Sequence, residues 1–178
     1  MELVAQAFVH VLSSSRKPFG YAAFTQKTGE EERNRYFFPH DTKAAPWWQG
    51  ENARIASLAA AALRFSCQKE AAEMAGDLRK FAGHQLDWIM GCNPFDSCMI
   101  DGFGRNNIQY FFRNQYDFMN SPGGICNGIT SREADDKGLE FMMAPTEECD
   151  DNWRWAEQWL PHACWYLNAM GWKLKRVK

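Results

Sequence analysis

Apolar positions along this chain recur mainly at helical spacing. In segment 2–15, Leu3, Val4, Ala7, Phe8, Val11 and Leu12 follow a helix repeat, and a run of serines ends it. Segment 47–66 follows Pro46 and is dominated by Ala and Leu from Gly50 onward, which favours helix. Residues 71–90 place Leu78, Phe81, Leu86, Trp88 and Ile89 on or near one side, and Gly91 is a natural C′ residue. A last helix over 152–170 carries Trp153, Leu160, Cys164 and Leu167 at helical spacing. No stretch makes a convincing strand. The pattern predicts an all-α chain of about four long helices, organised as one domain over 1–178.

The connections between these helices are uneven. Segment 17–41 is irregular and punctuated by Pro18, Gly20, Gly29 and Pro39, whereas the link between the second and third helices is short. Segment 92–150 is long, and rich in Gly, Asn, Pro and aromatic residues. It is too aromatic for a disordered linker, and loops of that length inside a compact domain are usually functional. In an up-down array, long connections alternating with a short one gather at a single end. A scaffold at one end and a site at the other is the expectation.

Composition narrows the function. With 178 residues, 46% apolar, 24% charged and a net charge of −2, the chain can bury one core and shows no electrostatic footprint for nucleic acid. The basic tail KLKRVK reads as a solvated terminus. Eight Trp and thirteen Phe bring the aromatic share to 15%, which means either a heavy core or ring platforms for a ligand. No apolar run approaches the roughly 18 residues of a membrane span, and no signal peptide opens the chain. Localisation is therefore not readable from the residues.

Six cysteines, Cys67, Cys92, Cys98, Cys126, Cys149 and Cys164, form no C-x-x-C pair, so a zinc ribbon or thioredoxin-like site is not expected. Cys67 and Cys164 read as small buried hydrophobes, and free thiols are the expectation, although Cys92 and Cys98 flank a turn that a disulfide could span. His40, His84 and His162 lack metal-ligand spacing, and the glycines of SPGGICNG (121–128) lack a phosphate-loop setting. No metal or cofactor is expected, and no Ser-His-Asp or Cys-His arrangement can be argued.

Three stretches together resemble glycoside hydrolase family 9, the cellulase-like six-hairpin glycosidases. They are KPFGYA (17–22) followed by PHDTKAAPWWQGENARIASLA (39–59), then QLDWIMGCNPFDSCMIDGFG (85–104), then DDNWRWAEQWLPHACWYLNAM (150–170). The middle stretch, with its G-x-N-P and G-F-G elements, is the most specific. The resemblance implies an (α/α)6 barrel whose long loops build a sugar cleft, and inverting hydrolysis of O-glycosidic bonds in a β-glucan or related oligosaccharide. Twelve helices would be needed against about four here, and the aspartates that activate water have no counterpart. The chain then looks like the C-terminal portion of such a catalytic domain, with the general base outside it. A periplasmic or extracellular protein is what the family implies.

Inversion needs one carboxyl to protonate the leaving oxygen and another, about 6.5–9.5 Å away, to activate water. Glu157 matches the family's acid and is flanked by Trp153, Trp155 and Trp159. Read without the resemblance, it is a surface glutamate on an amphipathic helix. Glu147 and Glu148 are nearby loop charges. Arg113 matches the arginine of the family's His-His-Arg stretch and would contact sugar hydroxyls, or else bond loop carbonyls as a structural arginine. Phe111 and Phe112 replace the two histidines, which departs from cellulase specificity. His40, Trp48, Glu51 and Asn52 would line the cleft from its other side, with Phe112 and Trp153 as further contacts. The plainer alternative puts Trp47 and Trp48 in the core, with Asp41 and Asn52 satisfying helix-end amides. A cut barrel exposes apolar helix faces, so self-association or pairing with the missing N-terminal half is expected. The alternative function is a non-catalytic carbohydrate-binding or helical interaction module.

Overall fold

The computed structural model describes residues 2–15, 18–28, 31–35, 51–113, 115–116, 120–131, 139–141 and 152–175. The described chain is mostly helical. Its order is α1 (Glu2–Ser14), β1 (Phe24–Thr28), β2 (Glu31–Arg35), α2 (Glu51–Phe65), a 3-10 turn (Lys69–Ala71), α3 (Ala75–Ile89), β3 (Thr130–Ser131), β4 (Leu139–Glu140), α4 (Trp153–Ala156) and α5 (Leu160–Leu174). Among the described residues no helix is long and apolar enough to cross a membrane.

α2 is the central helix and packs most extensively against α3 and α5. Its Ala-rich stripe explains this: Ala56, Ala59, Ala60 and Ala62 are buried and let neighbouring helices approach closely. α3 stops where Gly91 takes φ +117°. There the Gly91 amide donates to Trp88 O at 3.2 Å and the Cys92 amide to Asp87 O at 2.9 Å, the paired bonds of a Schellman end. α3 also starts later than its apolar pattern suggests, because Lys69–Ala71 forms a separate 3-10 turn first.

Three sequence expectations are corrected. Two short antiparallel hairpins exist where no strand was expected: Phe24 pairs with Arg35 through to Thr28 with Glu31, and Thr130–Ser131 pairs with Leu139–Glu140. FTQKT and EERNR carry almost no apolar alternation, so hydrophobic periodicity could not announce them. The final helix is not continuous either. It breaks at 157–159, where Glu157 has ψ 139° and Trp159 has ψ 140°. Pro161 causes this, because its ring lacks an N–H and would collide with the carbonyl four residues back, that of Glu157. Lastly, the stripe Leu160, Cys164, Leu167 faces solvent, while His162 and Ala169 face the core.

Two core clusters result. One joins Phe8 of α1 with Ala59, Leu63, Leu78, Phe81, Leu86 and Ala169 between the helices. The other lies where α2 begins and α3 ends, and collects loop residues: Tyr21, Met99, Ile108, Ile125 and Ile129 with Ile55, Trp88 and Trp155. The described parts of both irregular segments thus pack at the same end. Among the described cysteines all are free thiols; Cys67 and Cys164 are exposed rather than buried, and Cys98 and Cys126 are buried. Burial pushes the Cys126 thiol up to about 12, which keeps it protonated and unreactive.

Candidate functional site

The break between α4 and α5 positions Glu157. The Pro161 ring forces the backbone of Glu157 into an extended conformation, φ −61° and ψ 139°, directly after a single helical turn. Its amide donates to Trp153 O at 3.2 Å, and its carbonyl accepts from the Asn127 amide at 2.8 Å. Pinned on both sides, the residue leaves its side chain half-buried at the loop end, with no bond to its carboxylate among the described residues.

Asn127 is the hub of this arrangement, and each of its polar groups is engaged. Besides the Glu157 carbonyl, its Nδ2 donates to Trp153 O at 3.0 Å and its carbonyl accepts from the Asn52 amide at 3.0 Å. Its Oδ1 lies 2.8 Å from His162 Nε2. Because Asn127 Nδ2 donates elsewhere, Oδ1 is the acceptor and His162 carries its proton on Nε2. One buried amide therefore ties together the start of α2, α4, the Glu157 break and α5. Burial lowers the His162 pKa to about 4, and among the described residues its Nδ1 has no hydrogen-bond partner.

Neighbouring bonds extend the clamp along the chain. The Gly128 amide donates to Trp155 O at 3.0 Å, and Gln158 Oε1 accepts from the Ser121 amide at 2.8 Å. Asn152 does the same for the Phe111 segment. Its Oδ1 accepts from the Phe111 amide at 2.7 Å, its amide donates to Phe111 O at 3.0 Å, and its Nδ2 donates to Gln109 O at 2.7 Å. The strip carrying Phe112 and Arg113 is thereby stitched to the strip carrying Trp153 and Glu157.

On that strip, Arg113 is exposed and holds φ +51°, a left-handed conformation uncommon outside glycine. Its guanidinium lies over the Phe112 ring, 5.2 Å from the centroid, and Phe112 stacks on Tyr110 with centroids 6.2 Å apart. Phe111 is buried, while Phe112 and Trp153 are half-buried. A half-open ring beside a cation suits a ligand with an apolar face and polar edges.

Glu51 and Asn52 stand differently from the expectation that they line a cleft. Both are buried, because α2 begins inside the loop cluster. The Glu51 carboxylate accepts from the Tyr21 hydroxyl and from the Arg54 guanidinium, whose Nε is 2.9 Å away. Arg54 also donates to Ala22 O at 3.0 Å. Burial pushes the Glu51 carboxyl above its ordinary range, and Arg54 partly offsets this. Asn52 Nδ2 donates to Cys126 O at 2.8 Å and lies 3.1 Å from Met99 Sδ. Both side chains serve the loops' architecture. His40, Asp41, Trp47, Trp48, Glu147 and Glu148 lie outside the described residues.

Asn127, Asn152, Gln158 and His162 organise the site, and the sequence reading assigned none of them a role in it. A buried loop asparagine has no periodic signature, so only Pro161 could have flagged the region. No group of three His, Cys, Asp or Glu that would hold a metal occurs among the described residues. No protein-family model matches this chain, and no curated protein matches it either.

Proposed function

We propose that this chain is the C-terminal part of a glycoside hydrolase of family 9 type, belonging to an (α/α)6 barrel and carrying the general acid. The observation that carries the reading is the geometry of Glu157: an extended, doubly pinned backbone between two helices, with the carboxylate half-open at the end where the loops gather. In this mechanism Glu157 protonates the departing glycosidic oxygen. A carboxylate outside this chain activates water from the opposite face, about 6.5–9.5 Å away, and the product has inverted configuration. Phe112 and Trp153 offer rings to the apolar face of a sugar, and Arg113 donates to its hydroxyls. The resemblance adds Trp48 and His40, which lie outside the described residues, as further sugar contacts. The exposed apolar faces of α1 and α5 support pairing with further helices, whether of the remaining barrel or of another copy.

The experiment is hydrolysis of aryl-β-glycosides and soluble β-glucans by this chain, alone and together with an upstream portion of its reading frame, against Glu157→Gln. Loss of about 10²–10⁴-fold in kcat on substitution is expected of a general acid. Turnover that survives Glu157→Gln overturns the assignment. A second reading, a carbohydrate-binding module without chemistry, is favoured by Phe111 and Phe112 standing where the resemblance has histidines. Oligosaccharide binding that Arg113→Ala weakens, with no turnover in any combination, would establish it instead.

A further inference from the structure

α5 is apolar on nearly every side, yet the described chain covers it on one. His162 and Ala169 are buried, and Tyr166 and Met170 pack against the core. On the opposite face Leu160, Cys164, Leu167, Gly171 and Leu174 run the length of the helix at steps of four, three, four and three residues. That is the repeat by which one helix keeps a seam against another. At the helical turn angle all five fall within about 40° of one line. The leucines are 77%, 69% and 73% exposed, and Cys164 and Gly171 are exposed too. A helix apolar all round belongs in an interior.

The seam is close to symmetric about its centre. Leucines stand at both ends and in the middle, with one small residue in each interval, Cys164 before Leu167 and Gly171 after it. An isologous contact needs such a self-complementary patch. Charge then selects the direction. Lys173 and Lys175 crowd the C-terminal end of α5. A parallel pair would bring the lysines of both copies together, whereas an antiparallel pair puts them at opposite ends and opposes the helix dipoles favourably.

We propose that α5 is a homodimerisation helix. A second copy docks antiparallel on the seam, with Leu167 on the twofold axis, Leu160 against the partner's Leu174, and Cys164 against the partner's Gly171. The small residues let the two backbones come together between the leucine layers. Four helical turns make a small interface, so a weak dimer that dissociates on dilution is expected. The proposal does not depend on the glycosidase reading.

A groove of about 800 Å³ between α1, α2 and α5, lined by Val4, Phe8, Ala61, Arg64, Trp165 and Trp172, flanks the seam and provides the competing surface. Sedimentation equilibrium of the full chain, under reducing conditions across the micromolar range, should show monomer and dimer. Leu167→Glu, on an exposed face, should keep the helical circular dichroism and weaken the dimer by roughly tenfold or more. Leu3→Glu, on α1, should leave it unchanged. Register is read in a chain whose exposed Cys67, Cys92 and Cys164 are replaced by serine. With glutathione disulfide as oxidant, itself reduced to two glutathiones, Leu167→Cys should form one disulfide across the axis, and Leu160→Cys should not. A strictly monomeric chain overturns the proposal. So does a dimer that ignores Leu167→Glu but yields to Ala61→Trp in the groove, or a Leu160→Cys crosslink, which would mean a parallel pair.

Discussion

Asn127 concentrates more of the site's order than any carboxylate does. Its side chain holds the Trp153 carbonyl and His162 Nε2 in a buried setting. Truncation to Ala strands both groups, and leaving buried polar partners unpaired is costly. Asn127→Ala should lower stability by about 2–4 kcal/mol, measured as a shift of the urea midpoint at unchanged m-value. His162 adds a pH signature. Its folded pKa, about 4, lies below the unfolded value of 6.5. Between those values the unfolded chain binds the extra proton, so stability is complete above pH 6.5 and declines as pH falls toward 4, by on the order of 3 kcal/mol. Glu51 acts in the opposite sense, since its raised pKa favours the fold at low pH and loses that advantage as pH rises. The His162 part is therefore read as a difference: urea midpoints from pH 7 to pH 4 should fall more steeply for the native chain than for His162→Gln. Parallel curves would mean that His162 is not held neutral.

At the scale of elements, the 126–128 segment and the first turn of α2 interlock. Gly128 has φ +99°, and a Cβ there would stand 2.7 Å from the Asn52 side chain. Asn52 cannot retreat, because its Nδ2 is held by Cys126 O. Gly128→Ala thus meets both backbone strain and a clash, and should destabilise by about 2–4 kcal/mol. A thermal melt unchanged to within a degree or two would show that the segment shifts freely. The legibility of these elements in the sequence was uneven. α2, α3 and the Gly91 stop were readable because caps, alanine content and periodicity act within a few residues. The β1–β2 hairpin was not, since FTQKT and EERNR carry one apolar residue between them. The Glu157 break was readable in Pro161, but the apolar pattern running through 152–170 masked it.

Across the whole molecule, Tyr166 is a shared neighbour of the two core clusters, packing against the helical one and the loop one alike. Tyr166→Ala should cost about 1–3 kcal/mol and loosen the coupling between them. Far-UV circular dichroism and Trp fluorescence, expected to coincide on unfolding of the native chain, should then separate, with the loop end melting first. Coincident transitions in the variant would mean that the clusters communicate by another route, such as the α2 helix itself.

By itself the sequence determined that α1, α2 and the body of α3 are helical and where α3 ends, because propensity, capping and glycine's conformational freedom are local. Its aromatic content also anticipated packing in the described parts of the second long segment, where Phe95, Tyr110 and Phe141 join the loop-end cluster. Tertiary structure decided the rest. It chose which face of α5 meets the core, a choice that a helix apolar on all sides leaves open to whichever neighbour packs first. It buried Glu51 and Asn52, because the loops close over the start of α2. And it made Asn127 a hub, since its partners Asn52, Trp153, Glu157 and His162 lie far from it in the chain and reach it only when the fold is complete.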